Sequence, residues 1–576
     1  MKIEDMTPIS LAENAGAFDS LDELVIADPN QNQAQKSPNY PFWTADGRVV
    51  IDDEKLRQFL IENGFFRRQS SDTSPSRARN EPLETVLNEG GILKKYGEIA
   101  LKDWVRKFIV ESEVPDDGIL SKWLRYRTND ITDGLPIQSG NALRCGPDVC
   151  YIPFKNGVVV ITKSSVELES YKQLQKIGTV LEDSLRKRDI DLSNWPQIDF
   201  DKPIVKQVPE SPFTDFIAYA FKKGMLPDAT EPLRDNNPLF LGTDTPEWAE
   251  AVNGFETSAG YLIHQHHPSN PKAIIFVDGE SMNSQKAMGG TGKSLSLSSL
   301  GEMRALISVD GKRLGMGGDR FIFGGVTDET QIVALGDISK EARFQDLYNV
   351  ITDDMETEGK NQAIKLIPKH LKPKIGITSN YLITANDTSS KRRQHIVSFG
   401  NFFNKVAEIE TTNKSMSVEA MVGCYLFGPE MSDENWNDFY RYYILCTQKY
   451  LNKGLITPNN ESYKKALLAN EVGDDDVFEW MEDWVDNERI KGNFHINGIA
   501  QSAIYKAFSA YFGPDPVFLM RWEEKVFLDA LFEYVTSRED VDWNPKQASK
   551  GDTRRSRRWL KGPSGNQEDW AKIVNK

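Results

Sequence analysis

An apolar run, Ala273-Ile-Ile-Phe-Val277, closely followed by Ala287-Met-Gly-Gly-Thr-Gly-Lys-Ser294, constrains this chain more than any other feature. The run has the length and composition of a buried parallel strand. The glycine-rich segment suits a tight loop, and the residues from Leu295 onward suit a helix. Strand, glycine-rich loop and helix in that order make a cradle for phosphate oxygens. Glycines let backbone N–H groups converge without Cβ obstruction, and the helix N-terminus adds partial positive charge. In such a turn Met288, Gly289, Gly290, Thr291, Gly292, Lys293, Ser294 and Leu295 wrap the phosphates of a nucleotide. Lys293 reaches the outer phosphates and the Ser294 hydroxyl ligates Mg²⁺. Ala287 stands where these loops usually begin with glycine, which is tolerable at negative φ.

Chemistry on a nucleotide also needs an acid at the end of a neighbouring strand to hold the metal ion. Gln331-Ile-Val-Ala-Leu-Gly-Asp337 offers Asp337 after a buried-type strand; the alternative is a turn aspartate ending a core strand. Lys374-Ile-Gly-Ile-Thr-Ser-Asn380 ends in an amide that could orient an attacking water, because open α/β sheets bind ligands at the carboxyl ends of their strands. Ser390-Lys-Arg-Arg-Gln394 places Arg392 and Arg393 just before the strand-like His395-Ile-Val-Ser-Phe399. A guanidinium supplied across a subunit boundary stabilises transition-state charge; a solvated basic turn is the bland alternative.

Taken in order, these elements resemble the ATPase core of superfamily 3 helicases within the AAA+ class, most of all the primase-helicase type of bacteriophages and mobile elements. The resemblance runs from about Tyr261 to Phe403. It rests on the glycine loop, Ile332-Val-Ala-Leu-Gly-Asp337, Leu347-Tyr-Asn-Val-Ile-Thr352, Lys374-Ile-Gly-Ile-Thr-Ser-Asn-Tyr381 and Lys391-Arg-Arg393. It implies an α/β P-loop AAA+ ATPase core that assembles as a homo-hexameric ring with ATP and Mg²⁺ between neighbours. Lys293, Ser294 and Asp337 would serve the nucleotide from one subunit, Asn380 would take the sensor position, and Arg392 or Arg393 would reach the neighbour's ATP. A hairpin between the acidic and sensor strands would line the pore. Here that stretch is Glu358 to His370, with Lys360, Lys365, Lys369 and His370 as phosphate contacts or, alternatively, as a solvated lysine-rich hairpin. One departure stands out: the family usually carries two adjacent acids at the end of the metal strand, and this chain has Gly336 before Asp337. Three readings follow: Asp337 alone holds Mg²⁺ through water, a nearby acid such as Asp328 or Glu329 compensates, or the protein binds ATP but hydrolyses it slowly.

The flanks divide by composition. Residues 1–40 read as a flexible tail, 41–190 as an N-terminal α+β accessory domain and 191–265 as a helical domain. The ATPase core spans 266–415, a helical extension 416–475 and a winged-helix-like domain with a basic tail 476–576. In that tail Arg554, Arg555, Arg557 and Arg558 are candidate DNA contacts, a flexible basic tail being the alternative. A formal net charge of −16 excludes a generally basic nucleic-acid coat, so binding must come from local patches. Four cysteines, with Cys145 and Cys150 as an isolated close pair, read as buried thiols. The triplet His264, His266 and His267 reads as surface histidines, and Asp189-x-Asp191 and Asp199-x-Asp201 as surface acids rather than a two-metal centre.

The resulting expectation is an ATP-dependent, ring-shaped DNA helicase or translocase in the replication of a phage or mobile element. It would act on single-stranded or forked DNA beside a separate primase or polymerase, in the cytoplasm and away from membranes. The alternative is a DNA-binding initiator or scaffold that uses ATP binding as an assembly switch, which the Gly336 departure favours. A P-loop kinase acting on a small substrate is a third, monomeric possibility.

Overall fold

The computed structural model describes residues 42–44, 49–69, 83–111, 118–127, 129–138, 142–223, 245–279, 290–314, 319–327, 329–338, 342–360, 364–380, 388–403 and 421–460 of a first compact unit, Met1–Asn460. In the second unit, Glu461–Lys576, it describes 465, 469, 472–490, 499–513, 516–537, 541–543, 570–571 and 573–575. The expected boundaries after 190, 265 and 415 thus fall inside one compact unit.

The first unit opens with a short antiparallel pair, Trp43–Thr44 with Val50–Ile51. Helix α1 (Asp53–Glu62) is capped by Asp52, whose carboxylate accepts from the Lys55 N–H at 3.1 Å, and it buries Leu56, Phe59 and Leu60, the stripe its spacing predicts. Strands β1 (Phe65–Gln69), β2 (Leu83–Glu89) and β3 (Ile92–Lys95) form an antiparallel sheet, and helix α2 (Glu98–Glu111) follows. A meander comes next: β4 (Val149–Phe154), β5 (Gly157–Thr162) and β6 (Val166–Glu169). Strand β7 (Val180–Leu181) then joins β3 in parallel.

After helices α3 (Pro212–Ala220) and α4 (Pro246–Ile263) comes the mixed α/β core. Strand β8 (Ala273–Asp278) leads through α5 (Lys293–Ser298) to β9 (Leu306–Asp310) and β10 (Ile332–Gly336). A hairpin, β11 (Met355–Thr357) and β12 (Lys365–Ile367), separates β10 from β13 (Lys374–Ser379). Helix α6 (Thr388–Arg393) leads to β14 (Gln394–Phe399). Apart from the hairpin, these strands build one parallel sheet in the order β9–β10–β13–β8–β14. All six residues of β8 and of β13 are buried. That is the condition of a parallel sheet covered on both faces, and it explains why β8 reads as a continuous apolar run rather than an alternating one. A Cβ at Gly376 would come within 2.5 Å of the Leu297 side chain, so α5 packs directly on β13.

Helix α7 (Asp433–Lys453) lies against α4 and closes this layer. The approach is tight: a Cβ at Gly260 would sit 2.2 Å from the Cys446 carbonyl oxygen. A fully buried ion pair, Lys449 Nζ to Glu256 Oε2 at 2.6 Å, joins the two helices. The second Glu256 oxygen accepts from the Val205 N–H at 3.1 Å, so the carboxylate also anchors the segment before α3.

The second unit carries helices α8 (Asp475–Ile490), α9 (Gln501–Tyr511) and α10 (Glu524–Ser537) around a core in which the Phe508 and Phe527 rings stack at 4.1 Å. Strand β15 (Ile499–Ala500) pairs with β17 (Trp570–Ala571), and β16 (Val541–Trp543) with β18 (Ile573–Asn575), both antiparallel. Val477, Met481, Val485, Phe527, Leu531 and Tyr534 are buried, whereas Val526, expected on the same apolar stripe, is exposed. Among the described residues no helix is long and apolar enough to cross a membrane.

Two sequence expectations on polar groups resolve differently. The four acids of the two Asp-x-Asp pairs are exposed, and Asp191, Asp199 and Asp201 pair with Arg441, Lys202 and Lys453. The histidines are not a surface cluster: His264 is buried at the end of α4, with Nε2 2.8 Å from the Gly146 carbonyl oxygen. His267 Nε2 lies 2.8 Å from the Lys372 carbonyl oxygen. Packing of residues 142–151 over this helix end, which local sequence cannot reveal, removes them from water.

Breaking the Glu256–Lys449 pair leaves a buried, uncompensated charge. Glu256→Ala should therefore cost about 3–5 kcal/mol in urea unfolding, while the double change Glu256→Leu with Lys449→Met should cost clearly less. Burial also pushes His264 and His395 down to about 4 and His267 down to about 3, from 6.5. Each binds its proton more weakly folded than unfolded. Between roughly pH 6.5 and 4 the unfolded chain therefore takes up more protons, and stability falls as pH falls. Urea midpoints from pH 7 to 5 should decline, and His267→Gln should decline less over the same interval.

Candidate functional site

Register fixes what meets at the carboxyl edge of the parallel sheet. Val277 of β8 is level with Ser379 of β13, and Leu335 of β10 is level with Ile377 of β13. Asp278, Asp337 and Asn380 therefore leave the sheet within one residue of the same height. Asp278 and Asp337 stand two strands apart, about 10 Å between backbones. Strand β8 connects toward one edge of the sheet through α5, and β13 connects past β8 toward the other, so their carboxyl ends flank a topological switch point.

The glycine turn is described from Gly290; Met288 and Gly289 lie outside the described residues. Gly290 and Gly292 both hold φ of +95°, in the left-handed region that only glycine adopts cheaply. A Cβ at Gly292 would also meet the Phe216 ring at 3.0 Å. Helix α5 begins at Lys293, directly after the second of these glycines.

The Lys293 side chain folds back onto the end of β8. Its ammonium makes an ion pair with the Asp278 carboxylate and donates to Thr291 Oγ1 at 3.0 Å, and the Thr291 hydroxyl donates to Asp278 Oδ1 at 2.7 Å. Lys293 is 5% exposed and Asp278 2%. Burial pulls the Lys293 pKa down, while the Asp278 and Asp337 carboxylates oppose that shift, so Asp337 lies within electrostatic reach of the ammonium. The second Asp278 oxygen is buried with no hydrogen-bond partner among the described residues. Sequence reasoning passed over Asp278; the available signal was an acid ending an otherwise apolar strand just before the glycine loop.

Ser294 and Asp337 are both exposed and Leu295 is half-buried. Asp337 holds φ of +50°, a conformation uncommon for non-glycine residues, with its N–H 3.4 Å from Thr378 Oγ1. Such an outlier at a strand end is a recurrent mark of functional positions. Ser294 and Asp337 are the oxygen donors that could hold a Mg²⁺ ion. A Cβ at Gly336 would meet nothing within 4 Å, so packing does not exclude a second acid there. Glu329 does not supply one. It precedes β10, at the amino edge, where it pairs with Lys95 at 2.7 Å and Arg68 at 3.4 Å. Asp328 lies outside the described residues.

Asn380 follows β13 directly and is half-buried. Arg392 and Arg393 are elsewhere. They end α6 just before Gln394, which is level with Ala273 at the amino edge of the sheet. Five residues of extended chain, about 17 Å, separate that level from Asp278. Arg393 is engaged within the chain: its guanidinium donates to the Ser389 carbonyl at 3.0 Å and lies 4.5 Å over the Tyr348 ring. Arg392 is exposed.

The hairpin pairs Met355 with Ile367 and Thr357 with Lys365. Lys360, Lys365, Lys369 and His370 are all exposed along it or just after it. Acids intersperse them, since Glu358 pairs with Arg320 at 3.4 Å and the Asp354 carboxylate accepts from the Lys369 N–H at 2.7 Å. Arg554, Arg555, Arg557 and Arg558 lie outside the described residues.

No family model matches the sequence, and no match was found among curated proteins. Among solved structures, the apo C-terminal region of NrS-1 is 11% identical with a TM-score of 0.32, over 74% of this chain and 79% of that one. A shorter piece of the same region is 14% identical with a TM-score of 0.25, over 58% and 77%. JCV helicase bound to a thiazolopyridine-bearing acetamide is 13% identical with a TM-score of 0.20, over 34% and 61%. These are remote structural similarities, and at such scores they carry no weight for individual residues.

Proposed function

We propose that this chain is an ATP-dependent motor on DNA that works as a ring, with the nucleotide at the Gly290–Ser294 turn. The observation that carries this reading is the buried Lys293–Asp278–Thr291 cluster. A lysine held out of water at a left-handed glycine turn, level with two further strand-end polar groups, is poised to exchange its carboxylate partner for a phosphate oxygen. The turn's backbone N–H groups would face the phosphates. Ser294 and Asp337 would hold Mg²⁺, which supplies neutralisation of charge on the phosphate oxygens. Asn380 would orient the attacking water, and Thr291 would keep the Asp278 carboxylate hydrogen-bonded once Lys293 turns away.

A guanidinium from this segment would serve a neighbouring subunit's nucleotide, since Arg392 and Arg393 stand at the far edge of their own sheet. Arg392, exposed and at a helix end, suits that role; Arg393, bonded to Ser389 and stacked on Tyr348, positions the helix that carries it. Lys360, Lys365, Lys369 and His370 would follow the phosphates of a single strand without reading its sequence. Arg554, Arg555, Arg557 and Arg558 would add salt-sensitive contacts from a winged-helix-like second unit. The ring would be a homo-hexamer acting in the cytoplasm on single-stranded or forked DNA, beside a separate primase or polymerase in phage or mobile-element replication. A second reading, an ATP-switched initiator or scaffold with weak hydrolysis, is favoured by Gly336.

The reading is tested by steady-state ATPase with and without single-stranded DNA. Stimulated hydrolysis is expected, abolished by Lys293→Ala, and lowered about 10³-fold or more by Arg392→Ala. That loss should be restored in mixed rings where the arginine comes from a neighbour. Arg393→Ala should chiefly lower the unfolding midpoint. Rings that form with ATP but show no stimulated turnover would favour the switch, and Gly336→Asp should then raise the rate. The ion pair gives a separate measurement. Asp278→Ala leaves Lys293 buried without its partner and should cost about 3–5 kcal/mol in chemical unfolding without nucleotide. Saturating ATP should narrow that deficit, because phosphate oxygens replace the lost carboxylate.

A further inference from the structure

A cleft of about 630 Å³ opens at the amino edge of the parallel sheet, across the sheet from the glycine turn. Two motifs that the proposed motor does not use converge there: the Cys145/Cys150 pair and the histidines at the end of α4. Cys145, His266, His267 and Arg304 all line it.

The local backbone sets the thiols face to face. Gly146 and Val149 form an antiparallel bridge around Pro147-Asp148, so Cys145 and Cys150 are the next pair outward and directly opposed. Opposed residues in an antiparallel ladder have Cα atoms about 4.5–5.5 Å apart, inside the range a disulfide spans. The two sulfurs are 3.6 Å apart. Cys150 is buried, and Cys145 is half-buried and faces the cleft.

Donors surround the outer sulfur. Arg304 Nη2 lies 3.7 Å from Cys145 Sγ and 3.2 Å from Cys150 Sγ, and is held in place by the Tyr151 carbonyl at 2.8 Å. The Tyr151 N–H donates to Cys145 Sγ at 3.4 Å. His264 and His266 just past α4, Lys374 from β13, Asp148 of the turn and the Tyr151 phenol are titratable groups nearby. The Cys150 thiol, then Arg304 and the Tyr151 amide, favour the anion of Cys145 against the opposing effect of its burial, whereas burial pushes Cys150 up. Among the described residues no three of His, Cys, Asp and Glu are arranged to hold a metal ion. Arg144, Lys372 and His370 also line the cleft, while Arg68 there is paired with Glu84 and Glu329; the remaining basic groups suit a reagent bearing carboxylates.

We propose that Cys145 is a redox modification site that opens small carboxylate-bearing disulfides, with Cys150 as its resolving thiol and Arg304 as the positioning residue. The Cys145 thiolate attacks one sulfur of the reagent, breaking its S–S bond and releasing one thiolate, which leaves a mixed disulfide on Cys145. Cys150 loses its proton and attacks Cys145 Sγ, expelling the second thiolate. Two protein thiols are oxidised to one disulfide by two electrons, the reagent is reduced to two thiols, and the two protein protons end on them.

The test uses the reduced full-length chain and glutathione disulfide, read by intact mass and peptide mapping. Wild type should lose two hydrogen atoms in mass and yield a linked Cys145–Cys150 peptide that a reductant reverses. Cys150→Ser should stop at one glutathione on Cys145, and Cys145→Ser should give neither product. Arg304→Lys, which keeps charge but loses the fork, should slow iodoacetamide alkylation of Cys145 at neutral pH about 10-fold. Modification of Cys424 with Cys145 and Cys150 left as thiols overturns the proposal, as does Cys150→Ser with no adduct on Cys145. If the serine variants do not fold, the wild-type peptide map decides alone.

Discussion

Five parallel strands have no face to spare for water, and that requirement organises the first unit. Each strand needs a crossover connection to return the chain, and those connections must cover both faces of the sheet. With β8 and β13 wholly buried, the backbone N–H and C=O groups at the centre have no water to turn to and depend on the ladder for partners. Helix α4 can close over this layer only because Gly260 lets α7 approach its backbone. The Glu256–Lys449 pair sits inside that contact, where it adds little net stability but penalises misplacement of either helix.

Polar chemistry is displaced to the two edges of the sheet, and the edges differ. At the carboxyl edge Asp278, Lys293 and Thr291 share one buried cluster, with Asp337, Ser294 and Asn380 nearer to solvent. A buried lysine with one carboxylate partner is costly to strand, so whatever replaces that partner must itself be anionic. This is the physical content behind the proposed nucleotide site. At the amino edge, helix ends and the segment carrying Cys145 converge on Arg304, whose guanidinium binds the Tyr151 and Ile263 carbonyls and both sulfurs. Arg392 belongs to that edge too. Arg392 therefore stands about a strand's length from the glycine turn of its own chain.

Much of the core was legible locally. The β8 run, the glycine turn, the strands ending at Asp337 and Asn380 and the stripe on α1 follow from apolar patterning and from the few residues that tolerate a left-handed turn. Asp278 was hidden because an acid after an apolar run is, in one dimension, indistinguishable from the first polar residue of a loop. Glu329, one candidate to support the metal strand, stands at the other end of β10; proximity in sequence says nothing about which end of a strand a residue occupies. The histidines at the end of α4 looked exposed beside a proline, yet residues more than a hundred positions earlier cover them.

The sequence by itself determined the strand, turn and helix that carry Lys293, since backbone preferences and burial patterns act over a few residues. Only the tertiary structure decided that Lys293 rests on Asp278, that Arg392 and Arg393 stand a strand's length from their own turn, and that Cys145 opposes Cys150 beneath Arg304. Those outcomes depend on strand order, register and helix packing, which arise from contacts between distant segments and leave no periodic trace in the chain.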